Sequence, residues 1–155
     1  MLAETYNEVT ELAKIHCAEW GIPHHLHEDD YILQYGIDRL GIESAVHSYF
    51  HAARHEASMI TSSISHFFPD NSRIKVLDFA SGYKRIARHL NYFDKRIDLF
   101  EADIHPEAVS FMNDRLELST HLSNVSPEVS EFGKDYDFIY VLSLFSHIPD
   151  DLFER

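Results

Sequence analysis

The feature that most constrains the fold is an alternation of apolar runs and helical stretches after residue 73. Four short apolar runs, typical of strands, span residues 74–79, 97–102, 121–125 and 136–142. Residues 85–90 and 106–116, which lie between these runs, have helical patterns. Strands that alternate with helices predict right-handed crossovers and a parallel α/β sheet, in which ligands bind at the carboxyl ends of the strands.

The residues before this region have a helical pattern throughout. Apolar residues spaced by three and four predict a first helix that ends near Gly21, and Cys17 is expected to fill its buried stripe. A second helix is predicted over residues 30–40 and a third over residues 43–68. The third helix carries one apolar stripe, formed by Val46, Phe50, Ala53, Ala57, Ile60 and Ile64. We therefore divide the chain into an N-terminal helical cap, residues 1–72, and an α/β half, residues 73–155.

The composition argues against several partners. The 155 residues carry a formal net charge of -13, so nucleic acid, which needs clustered basic residues, is not an expected partner. No apolar run approaches the roughly 20 residues of a membrane helix, and the first residues lack the pattern of a secretion signal. The sequence thus predicts a cytoplasmic protein without a membrane partner.

The segment VLDFASGYKR, residues 76–85, predicts a cofactor loop between the first strand and its helix. The small residues Ala80, Ser81 and Gly82 allow backbone N–H groups to approach a ligand closely, and Asp78 stands at the strand end. Asp103 follows 25 residues later at the end of the second strand, near the offset of a carboxylate that binds ribose.

The loop lacks the glycines that a phosphate-containing cofactor requires. Neither G-x-G-x-x-G nor the phosphate-binding pattern G-x-x-x-x-G-K-[ST] is present. A cofactor that has a ribose and an adenine but no phosphates fits this loop better, and S-adenosylmethionine is such a cofactor.

Four segments in succession resemble motifs of class I S-adenosylmethionine-dependent methyltransferases, and in particular the branch that acts on small molecules. They are VLDFASGYKRIARHL, DLFEADIHPEAVSFM, NVSPEV and YDFIYVLSLFSHIPDDLF. The resemblance covers roughly residues 74–155 and implies a Rossmann-like sheet, of which the half with strand order 3-2-1-4 is present. The fourth strand would then be an open apolar edge. We therefore expect either a truncated chain or a homo-oligomer or other association through that edge.

The resemblance also implies roles for individual residues. Asp78, Ala80 and Gly82 would form the cofactor loop, and Asp103 would bind the ribose. Ile104 would line the adenine, Ser126 would lie near the adenine edge, and the segment from Leu142 and Ser143 to Ser146 would close the site beneath the methionine part. His147 would follow the fourth strand, either as a general base for a substrate hydroxyl or as a packing residue. Lys84 departs from the family, whose loops usually have glycine at this position.

These features predict methyl transfer from S-adenosylmethionine to an oxygen or nitrogen of a small molecule. The alternative is a non-catalytic half-domain that binds an adenosyl ligand, or a partner chain through its fourth strand. The row His47, His51 and His55 lies on one helix face, which can chelate a metal but is more typical of a solvated face, so no metal site is predicted. Four aromatic residues are predicted to pack within the helical layer: Tyr31, Tyr35, Tyr49 and Phe50.

Overall fold

The structure, a computed structural model, describes residues 3–70, 72–116, 120–126, 129, 133, 135–146 and 148–149. Three helices come first: α1 (Ala3–Trp20), α2 (Tyr31–Leu40) and α3 (Ile42–Phe67). The α/β part then follows as β1 (Ile74–Phe79), α4 (Ala87–Phe93), β2 (Ile97–Asp103), α5 (Pro106–Leu116), β3 (Thr120–Leu122) and β4 (Phe138–Val141). A short 3₁₀ turn, Leu144–Ser146, follows β4.

The strands form one parallel sheet with the order β3-β2-β1-β4. This confirms the predicted Rossmann-like half sheet. The predicted bounds of β1 and α5 are also those of the structure. In contrast, α4 begins at Ala87 and not at residue 85, because residues 82–86 form consecutive turns.

The cap helices pack as their apolar stripes predict. Val46 and Phe50 of α3 are fully buried with Cys17 of α1 and Leu33 of α2 in one cluster. Burial raises the pKa of the Cys17 thiol to about 11, as expected of a packing residue and not of a reactive thiol. Asp30 caps the N-terminus of α2, and its Oδ1 accepts hydrogen bonds from the backbone N–H groups of Ile32 at 3.1 Å and of Leu33 at 3.2 Å.

The second half of α3 belongs to the core of the sheet. Ala53, Ala57, Ile60 and Ile64 pack in one buried cluster with apolar residues of β1, α4 and β2. The cap is therefore seated directly on the α/β part, and the domain boundary at residue 72 stays a prediction.

The aromatic residues of the cap divide into two groups. Tyr49 and Phe50 are buried, as predicted. The prediction was wrong for Tyr31 and Tyr35, which are 73% and 49% exposed, because the apolar face of α2 is wider than its buried contact. Within the part of the chain that the structure describes, no helix is long and apolar enough to cross a lipid bilayer.

Candidate functional site

The loop after β1 takes three left-handed backbone conformations in alternation. The φ angle is 63° at Ala80, 59° at Gly82 and 64° at Lys84. At a residue with a side chain, this conformation costs roughly 1–2 kcal/mol. The loop therefore adopts the backbone conformations of a glycine-rich loop although it contains one glycine. Such backbone strain is concentrated at functional sites.

Hydrogen bonds to the end of β2 hold this loop in place. The backbone N–H groups of Ala80 and Ser81 both donate to the carbonyl oxygen of Ala102, at 2.8 and 3.1 Å. The Gly82 N–H donates to Oδ2 of Asp103 at 2.7 Å, and Oδ1 of Asp103 accepts from the His105 N–H at 2.9 Å. The Asp103 carboxylate thus braces two loops, and each of its oxygens has a second lone pair for a ligand hydroxyl.

A cavity of about 280 Å³ lies beside this loop, where β1 and β4 end. It is lined by Asp29, Asp30, Tyr31, Ile32, Asp78, Ala80, Ser81, Gly82, Tyr83, Arg85, Ile86, His105, Leu142 and Ser143. The predicted residues of the loop and of the β4 end therefore meet at one cavity. Ser143, like the loop, has a left-handed backbone, with a φ of 64°.

The other predicted site residues lie elsewhere. Asp103 is 4% exposed and stands behind the loop, whereas Ile104 is 43% exposed, and neither lines the cavity. Ser126 is exposed, and its backbone N–H donates to Oδ1 of Asn124 at 2.9 Å. His147 lies outside the described residues. The roles proposed for these residues stay predictions.

The cap supplies a wall of the cavity, formed by residues that the sequence did not single out as site residues. Asp29, Tyr31 and Ile32 line the cavity from the start of α2. Asp30 also lines the cavity, but its Oδ2 accepts a hydrogen bond from the hydroxyl of buried Tyr49 at 2.5 Å. Burial raises the pKa of this tyrosine. No local pattern in the sequence shows what the residues at the start of a helix face.

Arg88 of α4 joins the cap to the loop. Its guanidinium donates to the carbonyl oxygens of Pro23 at 3.0 Å and His25 at 3.2 Å in the cap. It also donates to the carbonyl oxygens of Lys84 at 3.0 Å and Tyr83 at 3.3 Å in the loop. A buried arginine with several carbonyl partners is a strong structural tie, since its N–H groups form a fixed fork.

Beneath the loop, four residues face one another in register across all four strands: Thr120, Glu101, Asp78 and Tyr140. We call these residues the polar row. Burial raises the pKa of Asp78 well above its ordinary range, and the nearby Glu101 carboxyl adds to this effect. Burial raises the pKa of Glu101 itself to about 7 and, with Asp78, raises the pKa of Tyr140. The sequence suggested no role for Glu101, which occurs between Phe100 and Ala102 in β2.

A second, larger cavity of about 780 Å³ lies between α5 and the segment that joins α1 to α2. His27 and Phe111 line it, and their rings contact that of Tyr83, with centroids 4.8 and 6.0 Å from the tyrosine ring. It contains none of the predicted site residues and no strand end. We therefore assign the candidate site to the smaller cavity.

Two members of the histidine row, His47 and His51, form an aromatic surface with His16. His47 and His51 stack with centroids 4.0 Å apart, and His16 of α1 meets both rings edge-on. In the described part of the chain, no group of three histidine, cysteine or acidic side chains is arranged to hold a metal ion.

The sheet order and the loop after β1 define the fold as Rossmann-like, of the type found in class I methyltransferases. Two solved structures of the plantazolicin methyltransferase BpumL are similar to it. The complex with SAH and a monoazolic desmethylPZN analog has a TM-score of 0.53 at 17% identity, over 89% of this chain and 49% of that one. The complex with SAH has a TM-score of 0.51 at 18% identity, over 90% and 50%.

A weaker likeness, to DesVI of Streptomyces venezuelae, has a TM-score of 0.49 at 21% identity, over 76% of this chain and 43% of that one. The chain thus spans about half the length of the solved structures it matches. No family model matches the sequence, and no curated protein matches it. At these identities the likeness shows the fold alone, and this is the Rossmann-like fold that the resemblance implied.

Proposed function

We propose that this chain is the cofactor-binding half of a methyltransferase that moves a methyl group from S-adenosylmethionine to an oxygen or nitrogen of a small molecule. The observation that carries the proposal is the position and charge of the 280 Å³ cavity. It lies at the carboxyl ends of β1 and β4, between the strained loop and the strained residue Ser143. Ligands of open α/β sheets bind at such strand ends.

The charge of the cavity favours a cationic ligand without phosphates. Asp29 and Asp30 line it together with Asp78, a carboxyl whose pKa is raised by burial, and Arg85 is the one lysine or arginine among the described lining residues. The Arg85 guanidinium lies 2.6 Å from the carboxylate of Glu56, which offsets its charge. Phosphate groups would be repelled here, whereas the sulfonium and amino groups of S-adenosylmethionine are positively charged and would be attracted.

Within this proposal, Asp103 receives the ribose hydroxyls on the lone pairs that the loop leaves available. When bound, the cofactor supplies an activated methyl group. The protein's contribution is then mainly to align the acceptor with that group, since in-line positioning accounts for most of such a reaction. His147 is proposed as a base that takes a proton from an acceptor hydroxyl.

The acceptor is proposed to be apolar where it meets the cap. Tyr31 and Ile32 line the cavity, yet 73% and 55% of their surfaces are exposed. A bound acceptor would remove this apolar surface from water, which is favourable by about 25 cal/mol per Å².

Calorimetric titration with S-adenosylmethionine, with its demethylated product and with ATP tests the cofactor. We expect the two adenosyl ligands to bind and ATP not to bind. Absence of heat from both adenosyl ligands at millimolar concentration, with protein shown to be folded, would refute the proposal. Tighter binding of ATP would refute the charge argument.

A second candidate is a non-catalytic half-domain that binds a partner chain, or a second copy of itself, through β4. The strand β4 pairs with β1 alone among the described strands, and its Ile139 is 56% exposed. An exposed apolar edge strand invites pairing with another chain. An assay for formation of the demethylated product separates the two, because only the first candidate consumes the cofactor in the presence of an acceptor.

A further inference from the structure

The larger cavity, of about 780 Å³, has no part in the proposed function. It lies between α5 and the segment that joins α1 to α2. A concave site of this size, with aromatic walls and a few polar groups, is the usual form of a small-molecule site. The chemistry of its side chains therefore indicates which ligand it could hold.

Aromatic rings form one wall of this cavity. His27 of the connecting segment and Phe111 of α5 both line it, and their ring centroids lie 5.2 Å apart. The ring of His27 also stacks on that of Tyr83, with centroids 4.8 Å apart and an angle of 16° between the rings. Tyr83 in turn lines the smaller cavity, so this group of rings lies between the two cavities. A flat or apolar ligand would find an aromatic surface here.

Hydrogen bonds and buried contacts hold the walls in position. The Tyr6 hydroxyl donates to the carbonyl oxygen of Leu26 at 2.8 Å, and the Arg88 guanidinium donates to that of His25 at 3.2 Å. Leu26 is 4% exposed and packs in the core of the cap. On the opposite side, Phe111 is 9% exposed and belongs to a buried cluster of α5. Both walls are therefore ordered without a ligand, which lowers the entropic cost of binding.

Carboxylates outnumber basic side chains around the cavity. Glu28 of the connecting segment and Glu107 and Asp114 of α5 line it, and all three are exposed. Glu107 and Asp114 are seven residues apart, so they lie on the same face of α5 as Phe111. None of the three carboxylates forms an ion pair with a described residue. Arg115 is the one lysine or arginine among the described lining residues.

The two lining histidines add little positive charge at neutral pH. Nδ1 of His27 accepts the backbone N–H of Asp29 at 3.1 Å, which requires this nitrogen to be unprotonated. The Asp29 carboxylate lies 3.8 Å from the same nitrogen, too far for a hydrogen bond. Partial burial and the nearby His24 lower the pKa of His25. The cavity therefore attracts a cationic group and repels a carboxylate or a phosphate.

We propose that the larger cavity binds a small molecule that has an aromatic or apolar body and a positively charged amino group. The body lies against His27 and Phe111, and the amino group meets the carboxylates of Glu107 and Asp114. Contact between the cation and an aromatic face adds to the attraction. The proposal does not rest on the proposed function, because none of these four residues lines the smaller cavity.

Two probes with the same indole ring and opposite charges test the proposal: tryptamine and indole-3-acetate. Each is titrated at pH 7.5 into isotope-labelled protein, and the backbone NMR signals are followed. We expect tryptamine to shift the signals of residues 25–28 and 106–115, and indole-3-acetate to bind about fivefold more weakly. Three results would each overturn the proposal: no shift with millimolar tryptamine, shifts confined to residues 80–82 and 142–143, or equal affinities for the two probes.

Neutral variants test the part played by the carboxylates. Glu107→Gln and Asp114→Asn together should weaken the binding of tryptamine about fivefold, without weakening that of indole-3-acetate. Glu43→Gln, which removes an exposed carboxyl of α3 outside both cavities, is the matched control and should change neither affinity. An unchanged affinity for tryptamine in the double variant would contradict the proposal.

Ser110 of α5 allows a test of the location. It is exposed and lines the larger cavity, so Ser110→Trp places a large side chain there. This variant should lose both probes and keep the wild-type affinity for S-adenosylmethionine, which is assigned to the smaller cavity. Undiminished binding of tryptamine, or loss of S-adenosylmethionine alone, would overturn the second site, and the neutral variants decide it if Ser110→Trp does not fold. If S-adenosylmethionine fails to bind the wild-type protein, the proposed function fails, whereas the tryptamine titration still decides this proposal.

Discussion

Replacement of Glu101 by glutamine should change how the stability of the protein depends on pH. The carboxyl group is fully buried and lies next to the Asp78 carboxyl across the sheet. Burial raises its pKa from the ordinary value of 4.5 to about 7, although the charge of Lys84 opposes the shift. The folded state therefore binds this proton more tightly than the unfolded state. Consequently, the stabilisation is present below pH 4.5 and is lost as the pH rises to about 7.

The size of the effect follows from the two pKa values. The full shift corresponds to roughly 3 kcal/mol in the free energy of unfolding, of which about 2 kcal/mol falls between pH 5 and pH 7.5. Lys84 affects the stability in a different pH range and in the opposite direction. Its pKa is lowered from 10.5 to about 8, so its contribution to stability rises with pH between these values.

Urea unfolding of the wild-type protein and of Glu101→Gln at the two pH values measures the difference. The variant should gain about 2 kcal/mol relative to the wild-type protein on going from pH 5 to pH 7.5. The two proteins differ only at residue 101, so the contributions of the other ionisable groups cancel in the comparison. Glu8→Gln, which removes an exposed carboxyl of α1, is the matched control. Its free energy of unfolding should change with pH as that of the wild-type protein does. If the free energy of unfolding of Glu101→Gln changes with pH as that of the wild-type protein does, the pKa of the buried carboxyl is not raised as described.

Three further predictions concern the ligand, the cap and the sheet edge. Asp103→Asn should weaken binding of S-adenosylmethionine in calorimetry by roughly 1–3 kcal/mol, and unchanged affinity would refute the ribose role. Tyr31→Ala should raise the KM for the acceptor without changing the stability by more than about 0.5 kcal/mol, whereas Tyr35→Ala, one turn away and outside the cavity, should change neither. Light scattering should give a mass above that of one chain, and Ile139→Lys should reduce it to one chain; a wild-type mass of one chain would rule out association through β4.

Local sequence patterns were sufficient to predict most of the fold. The apolar stripe of α3 and the proline at the start of α5 act within one element, so their effects can be recognised without knowledge of contacts elsewhere. The order of the strands followed from the alternation of strands and helices together with the family resemblance. The start of α4 was misplaced because the left-handed conformation of Lys84 delays the helix, and a lysine gives no sign of such a conformation.

The site was less predictable because its main supports are contacts between distant segments. Arg88 binds carbonyl groups more than 60 residues away in the chain, at Pro23 and His25, and no spacing rule indicates this. Glu101 is part of the polar row only because β1 and β3 place Asp78 and Thr120 beside it in register. Likewise, the exposure of Tyr31 depends on how α2 packs against α3, and the spacing of apolar residues along α2 does not determine that packing.

The number of glycines in the loop is a poor measure of the backbone conformations that the loop adopts. Glycine lowers the cost of left-handed conformations, but neighbouring contacts can offset the same cost. Here the carbonyl of Ala102 and the carboxylate of Asp103 hold the first part of the loop, and Arg88 holds the carbonyl groups of the last part. All of these contacts lie within the half sheet and its cap. A ligand of the proposed site would therefore meet a loop that is already ordered, and its binding energy would not be spent on ordering the loop.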